Sequence, residues 1–452
     1  MSSTEEPKSA PPALEFSSLP GDPAPTPLPA AAPTGAAMPD DSPQVAAPDP
    51  VQAEHVIVDV IDSREGYLAA VAAIAAGNGP IAIDAERASG YRYSQRAYLI
   101  QIFRRGAGTF LFDPPAIGAF AELNDVIASE EWILHAASQD LSCLREVGLD
   151  PQRIFDTELG ARLAGLPRVG LGTVVEELLG IHLAKEHSAA DWSTRPLPQA
   201  WLVYAALDVE LLVDLRDVMG TMLDEAGKSD IAAQEFEAVL HKDLVIVRHE
   251  PWRRLSGLHS VRGARNLAVA RELWQARDEY AREIDTAPGR LVPDLALVAA
   301  ARVLPETKRD LSAIKEFTGR ASRSQIDRWW AAIQAGVATD DLPLLRAPGE
   351  SIPPPRVWVD KNPEADKRLK AARAAVTEVG ETMNVPVENL LTPDLLRRVA
   401  WTPPEPLTVE SVRDALAELG ARPWQLDATA QVITDAFVDP SQHADAPSDD
   451  PS

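Results

Sequence analysis

The stretch Pro80-Ile81-Ala82-Ile83-Asp84-Ala85-Glu86-Arg87 carries an apolar run straight into two carboxylates set one residue apart. A short apolar run of this kind reads as a buried central strand, and residues two apart on a strand share a face. Both carboxylates therefore point the same way from a place where unpaired charge is costly. A divalent cation is a ready counter-charge for such a pair.

Outward from this strand the pattern is that of an α/β domain. Residues 56–60 read as a short strand, 64–76 as an amphipathic helix, and 80–86 as the strand that enters the site. Two β-rich runs at 97–103 and 109–112, split by 104–108, have the layout of a hairpin. A helix at 117–128, a strand at 132–135, a helix at 139–147 and several later helices complete a domain spanning 54–225. Residues 226–250 read as a helical connector into a second, mostly helical region.

Two segments of that region resemble each other at a period of about a hundred residues. Pro293-Asp294-Leu295 recurs as Pro393-Asp394-Leu395, and Gly319-Arg320 has an echo in Gly420-Ala421. Each copy has a long helix, a proline turn, a short helix, a glycine turn and a last helix, giving all-α domains at 251–336 and 359–440 joined by a proline-rich linker at 337–358. The first copy has fifteen Lys and Arg against ten Asp and Glu, while residues 360–439 have nine against fourteen. Only the first is built to meet phosphates, with Arg253, Arg254, Arg262 and Arg265 as candidate contacts; a solvated face is the plainer reading of any one of them.

The chain has 452 residues, a net charge of −25 and 39 prolines, which are unevenly spread and densest in the first fifty residues and the last fourteen. The ends, 1–53 and 441–452, read as disordered acidic tails. Such acidity excludes a passive charge-driven nucleic-acid binder and a protein adsorbed on anionic lipid, but leaves room for an enzyme with a local basic groove. One cysteine, Cys143, forbids an internal disulfide and fits a reducing compartment. With no long apolar segment and no basic-then-apolar leader, a cytoplasmic protein without membrane contact is expected.

Three further signals follow Asp84 and Glu86 in order. In His135-Ala-Ala-Ser-Gln-Asp140-Leu141 a strand gives way to a helix, so Asp140 can reach the C-terminal edge of the sheet, where ligands gather in α/β proteins. In Tyr204-Ala-Ala-Leu-Asp208 the helical spacing puts phenol and carboxylate on one face. Asp156, in Phe155-Asp156-Thr157, ends a short strand and reads as a capping or supporting acid. Each signal alone has a structural reading: an ion pair, an N-cap for Asp140, an ordinary helix face. Together Asp84, Glu86, Asp140 and Asp208 give oxygen donors suited to two hard cations such as Mg²⁺ or Mn²⁺, and no His/Cys cluster offers a zinc site. Two ions about 4 Å apart can activate a water and stabilise the leaving oxygen of an in-line displacement. Tyr204 can orient that water but is a poor base at neutral pH.

The ordered set Asp84-x-Glu86, Asp140 and Tyr204-x-x-x-Asp208 resembles the DEDDy exonucleases. The surrounding words, Lys185 with Asp191-Trp192-Ser193-x-Arg195-Pro196-Leu197 and Tyr204-Ala-Ala-x-Asp208-Val209 among them, narrow the likeness to the ribonuclease D family. Residues 251–336, opening Pro251-Trp252-Arg253-Arg254-Leu255, look like the HRDC module of that family, and 359–440 like a second, divergent copy. The resemblance implies a ribonuclease H-like fold, a mixed sheet flanked by helices, that removes nucleotides one at a time from an RNA 3′ end as 5′ mononucleotides. It implies that Asp84, Glu86 and Asp208 ligate one metal ion and that Asp140 shares a second with Asp84. Single-stranded RNA 3′ ends, tRNA precursors among them, are the implied substrate.

The chain departs from the family pattern at Ala85, where threonine is usual, and at Arg87, where an apolar residue helps wedge the terminal base. Arg87 can instead stack on a base or touch a phosphate. Lys185 and Arg195 can grip a phosphate, with the alternative that Arg195 orders its loop by pairing with an acid such as Asp191. Trp192 reads as packing and His135 as a structural residue. A DNA exonuclease and a silent RNA-binding scaffold stand as alternatives, the intact acidic set speaking against the second; a protein partner is the expectation for the acidic second helical domain.

Overall fold

The computed structural model describes residues 59–183, 190–242, 249–317, 319–345 and 352–443. Lys185 and residues 56–58 of the expected first strand lie outside them.

The nuclease-like domain begins with strand β1, Val60–Ile61, and a helix, Arg64–Ala76, that ends where the sequence pattern says it should. Ser63 caps it by accepting the Gly66 N–H, and Tyr67, Ala70, Val71 and Ile74 form its buried stripe at helical spacing. Strands β2, Asn78–Arg87, β3, Ala97–Arg105, and β4, Gly108–Phe112, form an antiparallel meander. β5, Glu131–Leu134, runs parallel to β2, and β6, Arg153–Asp156, parallel to β5. With β1 parallel to β4, the mixed sheet has the order β1-β4-β3-β2-β5-β6. β2 is thus central, as its apolar run requires. The β2–β3 register is irregular between Glu86 and Arg87, which re-aims Arg87 relative to the pleat.

Two expected helices are interrupted. Residues 117–128 become Pro114–Ile117 and Ala121–Ile127, broken at Gly118, whose φ of 89° suits glycine. Residues 139–147 become a 3₁₀ turn, Ala137–Gln139, and a helix, Leu141–Glu146, with Asp140 at the joint. Ala136, left-handed at φ 64°, starts that joint, and the Asp156 carboxylate pins it by accepting the N–H groups of Ala136 at 3.0 Å and Ala137 at 2.9 Å. The same carboxylate caps the Thr157–Ala164 helix. Asp156 is therefore the capping acid its position suggested.

The segment read as a connector is helical at Ser229–Leu240, but it belongs to the core of the sheet domain. Ala232, Phe236 and Leu240 are buried, and Phe236 packs its ring 4.9 Å from that of Phe155 on β6.

The two helical domains share the expected layout, from long helices Ala264–Glu283 and Pro363–Met383 to last helices Ile326–Ala338 and Pro423–Val438. Their attachments differ. The first has its own core around Trp252, Leu273, Phe317 and Trp329. The second shares one continuous apolar core with the sheet domain. Across that seam Arg422 grips Glu235 through two bonds of 2.6 and 2.7 Å, and Trp424 Nε1 donates to Glu235 at 2.7 Å. Lys228 Nζ donates to the carbonyls of Leu163 at 2.7 Å and Asn384 at 3.0 Å. Part of the surface expected to serve a protein partner thus meets the sheet domain itself. Among the described residues no helix is long and apolar enough to cross a membrane.

Candidate active site

Strand β2 delivers Asp84 and Glu86 to one face of the sheet, and the helix Gln199–Glu210 lies across that face carrying Tyr204 and Asp208. Carboxylate oxygens of Asp84, Glu86 and Asp208 all lie within 4.8 Å of one another. The three residues are half-buried, so the cluster keeps an open side. Asp140 joins from the far side through a hydrogen bond to Asp84. Asp140 stands at the N-cap position of the following helix, but its side chain makes no capping bond there.

The electrostatics are those of crowded acids. Burial pushes Glu86 up to about 10, helped by the charges of Asp84, Asp208 and Asp140 and opposed by Arg87. Burial and then Asp84 push Asp208 up to about 8, against the lowering effect of the Tyr204 hydrogen bond. Asp84 and Asp140 are raised chiefly by burial; the hydrogen bond between them lowers Asp84 and raises Asp140, which makes Asp140 the donor. Tyr204 is raised by burial and by Asp208 and Glu86, so its hydroxyl stays protonated and donates to Asp208. Four clustered carboxylates that resist ionisation, presenting oxygen alone, fit a hard divalent cation.

Other expected contacts are corrected by their hydrogen bonds. Arg195 is a structural clamp: it holds Asp113 through bonds of 2.6 and 2.9 Å and donates to the carbonyls of Trp192, Thr194 and Tyr98, each at 2.8 Å. All five of its N–H groups are engaged, so it has none for a phosphate. The loop-ordering alternative is right in kind, but the partner is Asp113, and Asp191 accepts from Ser193. Arg253 is engaged in part, stacked 4.3 Å from the Trp252 ring and bonded through Nε and Nη2 to Glu250 and the Leu344 carbonyl. Arg265 donates to the carbonyls of Gly336 and Thr339. Arg254 and Arg262 are exposed, and Arg87 is half-buried beside the acids. His135 is half-buried, bonded to Thr157 at 2.9 Å and lowered to about 4 by desolvation, which is a structural role. Trp192 is wholly buried against Trp201.

Two features escaped the sequence reading. Gln101, the one polar residue of the Tyr98-Leu99-Ile100-Gln101-Ile102-Phe103 run, is buried directly across from Asp84. The loop between β2 and β3 is held by the first helical domain: Tyr93 donates to Asp278, Asp285 accepts from Ser94 and Tyr98, and Arg290 lies over the Tyr91 ring.

The comparisons with known proteins follow the same division of the chain. Residues 58–224 match the family described as 3′-5′ exonuclease, 266–333 the HRDC domain, and 351–437 the family described as 3′ to 5′ exonuclease C-terminal domain. Ribonuclease D of Pseudomonas paraeruginosa is 30% identical over 321 residues, covering 70% of this chain and 82% of the relative. That of Escherichia coli is 28% identical over 315 residues, covering 69% and 81%. A crystal structure of a protein from Bifidobacterium adolescentis superposes with a TM-score of 0.79 at 37% identity over 84% of this chain and 97% of that one. For Escherichia coli RNase D the TM-score is 0.60 at 26% identity, over 80% and 98%. The carboxylate cluster at the end of β2 therefore sits in a 3′-5′ exonuclease domain that hydrolyses phosphodiester bonds, and the chain belongs to the ribonuclease D family.

Proposed function

We propose that the chain is a cytoplasmic 3′-5′ exoribonuclease that depends on two divalent cations, Mg²⁺ or Mn²⁺, and trims the 3′ ends of stable RNA precursors such as tRNA to 5′ mononucleotides. The observation that carries this reading is the meeting of Asp84, Glu86 and Asp208 within 4.8 Å, with Asp140 bonded to Asp84 and Tyr204 to Asp208. On this reading Asp84, Glu86 and Asp208 would hold one ion, and Asp140 together with Asp84 would hold the second. Bound cations of this kind lower the pKa of a water and neutralise charge on the attacked phosphate and the leaving 3′ oxygen. Tyr204, kept protonated, orients the attacking water as a donor or acceptor of hydrogen bonds and takes no proton from it. Arg87 offers a cation, or a planar group for a terminal base, next to the acids. Arg254 and Arg262, exposed on the first helical domain, contact phosphates upstream of the 3′ end.

The test is to incubate the protein with 3′-labelled single-stranded RNA and DNA in Mg²⁺, Mn²⁺ or EDTA. Mononucleotide release from RNA with metal and none with EDTA is expected, and Asp84→Asn should abolish it. Preference for DNA would reassign the substrate, and inactivity on both polymers with metal would remove the nuclease assignment.

A further inference from the structure

Gln101 occupies the middle of β3 and is wholly shielded from solvent. It pairs with Asp84 on one side and with Leu111 on the other, so all three side chains leave the same face of the sheet. That face is covered by the helix bearing Tyr204 and Asp208: Leu99 and Leu111 pack with Leu202, Ala205 and Ala206 beneath it. The Gln101 amide is therefore enclosed between the Asp84 strand, apolar neighbours and the Asp208 helix. Among the described residues neither its Oε1 nor its Nε2 meets a hydrogen-bond partner. A buried amide with both ends unpartnered destabilises a fold, and an apolar residue of the same length would not. Residues that weaken a fold in this way concentrate at functional sites.

We propose that Gln101 is a positioning residue of the metal site: its Nε2–H, unpartnered in this structure, turns to donate to the Asp84 carboxylate once cations are bound and sets which oxygen Asp84 presents to them. The proposal rests on the metal-dependent reading given above. Cross-strand partners stand about 5 Å apart at Cβ, within reach of such a bond. The residue type also fits. A carboxylate at position 101 would add repulsion to four clustered acids, and a lysine would compete with the cation, whereas a neutral amide orients Asp84 without changing the charge of the site.

The experiment compares Gln101→Met with the parent protein by calorimetric melting without metal, by isothermal titration with Mn²⁺ alone, and by steady-state kinetics on RNA. The variant should melt no lower than the parent in EDTA, bind Mn²⁺ roughly tenfold to a hundredfold more weakly, and lose kcat with an unchanged KM for RNA. Parent-like Mn²⁺ affinity in a folded variant would overturn the proposal and leave Gln101 a packing residue. If Gln101→Met fails to fold, Gln101→Asn, which withdraws the amide by one methylene, should show the same loss of Mn²⁺ affinity, and parent-like affinity there overturns the proposal equally. A parent protein that binds no Mn²⁺ would instead remove the underlying metal assignment.

Discussion

Asp285, just past the long helix of the first helical domain, accepts the Ser94 backbone N–H at 2.8 Å and so ties that domain to the loop leaving the catalytic strand. Burial alone would raise its carboxyl, but bonds from Ser94 and Tyr98 and the charge of Arg96 hold it below the usual carboxylate range. The loop starts right after Arg87, so the contact bears on how substrate approaches. Asp285→Ala should raise KM for RNA several-fold while changing kcat less than twofold, because it removes the carboxylate that accepts from both Ser94 and Tyr98 and so loosens the loop without touching the acids. Steady-state kinetics at saturating metal decides it, and a fall in kcat alone would place the effect elsewhere.

The raised carboxyls make metal-free stability depend on pH with a definite sign. Glu86 at about 10 and Asp208 at about 8 keep protons that the unfolded chain releases near its ordinary 4.5 and 3.8. Between those values the folded state binds more protons, so stability falls as pH rises. His135, lowered to about 4, has the opposite slope, but only below its ordinary 6.5. Melting in EDTA should therefore drop from pH 6.5 to 8 by about 1 kcal/mol or more per pH unit. Saturating Mn²⁺ should flatten that slope, and Mn²⁺ affinity should climb with pH over the same window.

Arg422→Ala leaves Glu235, whose side chain is 6% exposed, with the Trp424 N–H but no cation. Removing one partner of such a buried pair costs about 3 kcal/mol. Replacing both Arg422 and Glu235 by apolar residues should cost less than either single change, which a double-mutant cycle in urea would read directly.

Two helical glycines should respond to alanine with opposite signs. A Cβ on Gly336 would stand 2.5 Å from Val269 Cα, where the last helix of the first helical domain crosses its longest one. On Gly220 the nearest group would be Arg216 Nη1 at 3.8 Å. Gly220→Ala should stabilise by about 0.5–1 kcal/mol through helix propensity. Gly336→Ala should destabilise by about 2 kcal/mol through overpacking against backbone. Thermal melts of the two variants check both signs.

The acidic site was legible because its spacing follows local rules. Period two on β2 joins Asp84 to Glu86, a four-residue step joins Tyr204 to Asp208, and the strand-to-helix turn puts Asp140 at the sheet edge. The arginines were not legible in the same way. Arg195 finds Asp113 82 positions away, and Arg265 finds backbone carbonyls 71 and 74 positions away, partners that no residue pattern displays. The Ser229–Leu240 helix looked like a link because its apolar face has no mate nearby in sequence; the mate is Phe155 and the sheet edge. Gln101 did leave a trace, a single amide inside an apolar strand, but its meaning depends on which residue stands across the ladder.

The seam between Glu235 and Arg422 spans 187 positions of chain. During synthesis the nuclease sheet and its helices leave the ribosome long before Arg422 and Trp424 do, so a nascent chain holds Glu235 on its surface without the two groups that accept it in the finished protein. Translation of the last helix, rather than of the catalytic domain, is the step that closes the core.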